Sequence, residues 1–142
     1  MADPYNSFNF AVEIDGITRM HFQEASGLDS SIDIVEHREG GDNITNRKLP
    51  GMVKYSNIVL KWGMTDEMEL YKWHRQWAIG DPAAKRVSGS IVLYDRQRTE
   101  RRRWNFKNAW PCKWTGPSFN AESSELAIET LELAHEGLER VT

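Results

Sequence analysis

Apolar and polar residues alternate from the start of the chain. Phe8, Phe10, Val12 and Ile14 alternate with Asn9, Ala11 and Glu13, the two-residue period of a half-buried strand. Asp15-Gly16 is a hairpin turn signal, and Ile17–Ala25 follows with Met20 and Phe22 on one face. The N-terminal region therefore predicts a β-hairpin, broken by Ser26-Gly27. Ile32 and Ile34 flank Asp33 in a third strand that runs on toward Arg38. Ile58, Val59, Leu60 and Trp62 form the next strand. The stretch at about 37–56 has no period of its own. It carries Gly40-Gly41, Asp42-Asn43 and Pro50-Gly51, all turn signals, among scattered Ile44, Leu49, Met52, Val53 and Tyr55. It predicts a long extended loop. Compact domains seldom spend so many residues on a connection without a task for it, and isolated apolar residues among Lys, Arg and Asn suit docking onto another molecule.

After Gly63 the period changes to that of a helix, over residues about 66–79. Asp66 is placed to cap it, with Glu69 as capping-box partner, and Leu70, Trp73 and Trp77 make one apolar stripe. Gly80 ends it and Asp81-Pro82 prevents continuation. Ser90–Tyr94 reads as a near-continuous apolar strand, and Asp95–Arg103 as a basic connection. Trp104, Phe106 and Trp110 share parity, giving a return strand that Pro111 restricts to an edge or an end. Trp114-Thr115-Gly116-Pro117 is a further turn. The last segment is ambiguous. Its Glu, Leu and Ala favour helix by propensity, whereas Leu126/Ile128 and Leu131/Leu133 permit a strand with a parity shift. No internal repeat is present. The pattern is mainly β: an antiparallel β-sandwich or small barrel with one flanking α-helix, in a single domain over 1–142.

Composition narrows the function. The net charge of −3 and the mixture of both signs oppose a general nucleic-acid or anionic-membrane binder. No apolar run reaches bilayer length, so no stable membrane insertion is expected, and the N-terminus has no basic and apolar regions of a secretory signal. Cys112 is the sole cysteine, which rules out an internal disulfide and suits a reducing cytoplasm. His21, His37, His74 and His135 form no ligand spacing, Gly40-Gly41 lacks the context of a phosphate loop, and Ser88-Gly89-Ser90 is no nucleophile elbow. Glu122, Glu125, Glu129 and Glu132 read most simply as a solvated face. Neither an enzyme nor a cofactor is expected. The segment 96–114 supplies the alternative. It interleaves Arg96, Arg98, Arg101, Arg102 and Arg103 with Trp104, Phe106, Trp110 and Trp114, as a nucleic-acid-binding β-domain would. The competing explanation is a charged hairpin tip followed by core aromatics.

Five pieces in order carry a family resemblance: Glu39-Gly40-Gly41, Leu49-Pro50-Gly51 through Tyr55, Asn108-Ala109-Trp110-Pro111, Gly116-Pro117, and Ala134-His135-Glu136-Gly137. From about Pro4 to Arg140 the chain resembles the tail tube proteins of contractile phage tails and extracellular contractile injection systems. It departs from them in the Asp95–Arg103 turn, which lacks an expected glycine, and at His37, where another aromatic is expected. The resemblance implies a tail-tube-like β-sandwich with a helix on its flank, and makes Glu125–His135 a strand. It implies homohexameric rings stacked into a hollow tube that sheath contraction drives into a target. The implied partners are further copies of itself, a sheath protein, baseplate and terminal cap components, and cargo in the lumen. No specific nucleic acid is implied for the monomer. Assembly would be cytoplasmic, in a phage tail or a tail-like particle. The loop would join subunits or rings through Gly40, Gly41, Asp42, Asn43, Lys48, Leu49, Pro50, Gly51, Met52 and Tyr55. Arg98, Arg101, Arg102 and Arg103 would form a basic patch on the exterior or at a seam.

Overall fold

The computed structural model describes residues 9–20, 22–37, 47–66, 68–122 and 126–142. Among these residues, ten strands and one helix follow the predicted order closely, with most of the differences in how the runs are divided. β1 (Phe10–Ile14) and β2 (Thr18–Met20) form the expected hairpin around Gly16, whose φ of 72° is the left-handed conformation that glycine adopts without strain. The run predicted as one strand over Ile17–Ala25 is divided. Its end is a separate strand, β3 (Glu24–Ser26), paired with β6 (Ile58–Gly63) rather than with β1. Along β6, Ile58, Leu60 and Trp62 are buried and the residues between them half-buried, as the alternation requires.

β7 (Val87–Tyr94) pairs β1 on one side and β8 (Glu100–Thr115) on the other. The sixteen-residue β8 belongs to two sheets. Its first half joins β2-β1-β7, and its second half pairs β9 (Ile128–Ala134), which leads to β6 and β3. β10 (Gly137–Arg140) continues the course of β9 along the first half of β8. Two register breaks make this possible. The first lies at Asn108, whose φ of 52° is one Asn tolerates better than most residues. The second lies between Pro111 and Lys113. The predicted parity therefore fails: Phe106 is buried with Ala109 and Pro111, while Trp110 turns to the other face. Pro111 sits beside a bulge and beyond Ala109, the last residue of β8 paired with β7, so β8 has only β9 as neighbour there: the expected edge position, where a missing N–H is tolerated.

The C-terminal segment is strand, against its helix propensity. Between β6 and β8 it gains backbone partners on both sides, and that outweighs a propensity difference of under about 1 kcal/mol per residue. No parity shift occurs in β9: Glu129, Leu131 and Leu133 are buried in turn. Glu129 is thus not on a solvated face. α1 (Glu69–Ala78) packs on β8 through Leu70, Trp73 and their neighbours. It starts after Met68 with no side-chain cap, so Asp66 is not its N-cap. The chain before it is held instead by the Met64 N–H, which donates to the Ala127 carbonyl at 2.8 Å. Its other end is as expected: Gly80 N–H donates to Trp77 O and Asp81 N–H to Gln76 O, with Gly80 at φ 70°, a Schellman arrangement. The core, including Val12, Ile58, Leu60, Trp73, Phe106, Leu131 and Leu133, lies between the two sheets and under the helix.

Candidate assembly interface

The greatest departure from prediction is the stretch read as a loop. Arg47–Tyr55 is β5, and it pairs with the expected third strand, Ser30–His37 (β4), in a two-stranded sheet separate from the rest. Pro50-Gly51, read as a turn, lies inside β5. There the pairing steps from Ile32↔Val53 to Ile34↔Pro50, so Gly51 and Met52 together oppose Asp33. A Cβ at Gly51 would come within 3.0 Å of the Asp33 carbonyl oxygen, which is why the bulge takes glycine. Pro50 is tolerated because a two-stranded ribbon is all edge. Gly40, Gly41, Asp42 and Asn43 lie outside the described residues.

The ribbon buries almost nothing of its own. The pairing puts Ile32, Ile34, Pro50 and Val53 on one face and Val35 and Leu49 on the other. Ile32, Ile34, Val35, Leu49, Met52 and Val53 are all exposed, Met52 at 75%. Lys54 pairs with Asp33 at 3.0 Å, and Lys48 lies opposite Glu36. His37 is exposed opposite Arg47.

The root of the ribbon is fixed to the body. Ser56 N–H donates to Asp29 Oδ1 at 3.2 Å, and Asn57 Nδ2 donates to Glu132 Oε1 at 2.9 Å. Gly27, with φ 94°, lies so close to Asn57 that a Cβ there would overlap the Asn57 carbonyl. His135 Nε2 faces the Ser56 carbonyl oxygen at 2.9 Å, its Nδ1 faces Gly137 O at 3.1 Å, and its ring meets Tyr55 at 5.5 Å. The Ala134-His135-Glu136-Gly137 piece thereby acquires a local task. Its Glu136 takes hydrogen bonds from Asn108 Nδ2 at 2.9 Å and Arg86 Nη1 at 3.1 Å, securing the bend of β8. The spacing of His135 gave no sign of this, because Ser56 is far away in sequence.

The basic patch is divided by strand parity. Arg101 and Arg103 share a face that Arg102 does not, and both are paired. Arg101 Nε meets Asp95 Oδ2 at 2.9 Å, and Arg103 meets Glu100 at 2.7 Å and Glu13 at 3.3 Å. The two carboxylates hold the Arg103 guanidinium well above its already high pKa, through the hydrogen bonds it donates to Glu100 first and Glu13 second. Asp95 also accepts from the Gln97 and Thr99 N–H groups, and those bonds, that of Thr99 first, depress its pKa. Arg98 stands in this turn at φ 62°, in the place of the missing glycine. Three of the segment's four aromatics are occupied in packing. Phe106 is buried, Trp110 tilts against Trp77 with Arg86 above both rings, and Trp114 meets Tyr71 edge-on. With Arg101 and Arg103 paired to carboxylates and three of the four rings packed on neighbours, the segment lacks the open stacking surface of a single-strand binder. Among the described residues no group of three metal-ligating side chains occurs, and no helix is long and apolar enough to cross a membrane.

The comparisons agree on one family. A family model described as T4-like virus tail tube protein gp19 matches residues 6–139. A chain in the cryo-EM structure of the anti-feeding prophage baseplate, 6-fold symmetrised, superimposes with a TM-score of 0.89 at 25% identity, over 99% of this chain and 97% of that one. A chain in the anti-feeding prophage cap, which terminates the tube, gives 0.88 at 30% identity over 100% and 93%. One in the PVC sheath-tube complex, an extracellular contractile injection system in its extended state, gives 0.83 at 29% identity over 97% and 91%. A search of curated protein sequences gives no significant match.

Proposed function

The chain belongs to the T4-like virus tail tube protein family, as a tail tube protein of contractile injection systems, and from that premise we propose that its protomers close into 6-fold rings which stack into a hollow tube. One observation carries this: a ribbon fixed at its root presents aliphatic side chains to water on both faces. An exposed apolar ribbon with two open edges is an aggregation hazard unless another chain covers it. Covering its six large exposed aliphatic side chains would stabilise the assembly by on the order of 5 kcal/mol per ribbon.

The ribbon is the joint between copies, through Lys48, Leu49, Pro50, Gly51, Met52 and Tyr55, with Gly40, Gly41, Asp42 and Asn43 extending the same contact. Contacts around a ring are head-to-tail and close on themselves. Contacts between rings do not close and so propagate a filament. Arg98, Arg101, Arg102 and Arg103 lie on the tube exterior or at a seam, where acidic residues of a sheath meet them. Baseplate and cap components terminate the tube and cargo occupies its lumen. Assembly takes place in the cytoplasm, and contraction of the sheath drives the tube into its target.

The double variant Ile34→Asp with Met52→Asp tests the ribbon. Both positions are exposed, so the protomer should fold with unchanged circular dichroism and elute as a small species. Negative-stain microscopy should find no tubes. Long tubes formed at wild-type protein concentration would overturn the proposal.

A further inference from the structure

A carboxylate lies where the core would accept a leucine. Glu129 has the parity of Leu131 and Leu133, stands opposite Trp62 in the β6–β9 pairing, and is only 6% exposed. Among the described residues it meets no cation and no hydrogen-bond donor. It lines a groove of about 380 Å³ between α1 and the second half of β8, whose walls include Met64, Met68, Tyr71 and Trp114. A residue this little exposed loses part of its carboxylate's hydration, and a packed apolar side chain in its place is normally the more stable choice. Neither the fold of the protomer nor the packing of its core requires a charge there. An apolar-walled groove with a buried carboxylate suits a long side chain with an apolar stem and a cationic end.

We propose that this groove receives Lys48 of a second copy of the chain. The assignment rests on the ribbon joining copies, and names its seat. Lys48 lies in the same row as Pro50, Ile34 and Ile32, so an apolar surface leads up to the cation. Lys54 is already tied to Asp33, whereas among the described residues Lys48 has no ion partner. The ribbon thus offers apolar area with one available cation, and the groove offers apolar area with the Glu129 carboxylate inside it and Asp66 on its wall. Pairing the two gives the carboxylate a partner only in the assembly.

The test separates a docking carboxylate from a structural one. Glu129→Gln and Glu129→Met should leave the thermal midpoint of the isolated protomer unchanged or raised, while the critical concentration for tube formation rises at least tenfold. In a Cys112→Ser background, Lys48→Cys with Met68→Cys should form intermolecular disulfides along the tube under mild oxidation, and neither single variant should. A lowered midpoint in both Glu129 variants would make the carboxylate structural and overturn the proposal. Wild-type assembly of Glu129→Gln, together with no disulfide in the Lys48→Cys/Met68→Cys protein, would also overturn it. If the Ile34→Asp/Met52→Asp protein stays unassembled in that last case, the ribbon remains the joint and only its seat is wrong. If that protein forms tubes as well, the ribbon itself is not the joint.

Discussion

Arg98 carries backbone strain that a glycine would not. Its φ of 62° costs an L-residue about 1–2 kcal/mol, and the turn tolerates it because Asp95 gathers the Gln97 and Thr99 N–H groups and the Arg101 side chain around one carboxylate. Arg98→Gly should therefore stabilise the protomer, by about 0.5–1 kcal/mol once the extra freedom of glycine in the unfolded chain is subtracted. Urea unfolding in the Ile34→Asp/Met52→Asp background, where assembly does not intrude, measures it; an unchanged or lower stability would mean the Arg98 side chain is itself needed. The missing glycine was visible in the sequence as a departure, and the structure shows which residue took over its conformation. Glu129 shows the opposite limit. Its spacing with Glu122, Glu125 and Glu132 suggested a solvated face, and only the strand parity of β9 between β6 and β8 turned it inward.

At the scale of elements, the ribbon shows how a strand can be present without strand patterning. Alternation arises when one face is buried and the other wet. β4 and β5 bury neither face in the protomer, so Leu49 to Tyr55 look like a loop with scattered apolar residues. Breakers mislead for the same reason: Pro50 and Gly51 mark a bulge in a two-edged ribbon, not a turn. The orientation of the ribbon depends on its root. His135→Leu keeps the bulk of the ring but removes the contact with the Ser56 carbonyl. Amide exchange at 55–57 should accelerate while β9 stays protected, and the critical concentration for assembly should rise a few fold. Unchanged exchange at those amides would show that Asp29, Asn57 and Gly27 suffice to hold the root.

For the whole molecule, stability should depend on concentration. The ribbon is covered only when copies join, and any contact made by the native state alone raises apparent stability by mass action. The unfolding midpoint of the wild-type chain should climb with protein concentration, and that of Ile34→Asp/Met52→Asp should not. Parallel behaviour of the two would remove the ribbon from the thermodynamics of assembly. The mainly β class, the flanking helix, and the strands at β1, β6 and β7 follow from the sequence itself, because their periods record a core that each element meets directly. The family likeness also lies in the chain, in short pieces whose order is preserved. The likeness already made the C-terminal segment a strand; tertiary structure alone decided that it divides into β9 and β10, that β8 bends into two sheets at Asn108, and that His135 reaches Ser56. Each depends on a backbone partner or side chain distant in sequence, and local propensities, worth only tenths of a kcal/mol per residue, yield to such partners.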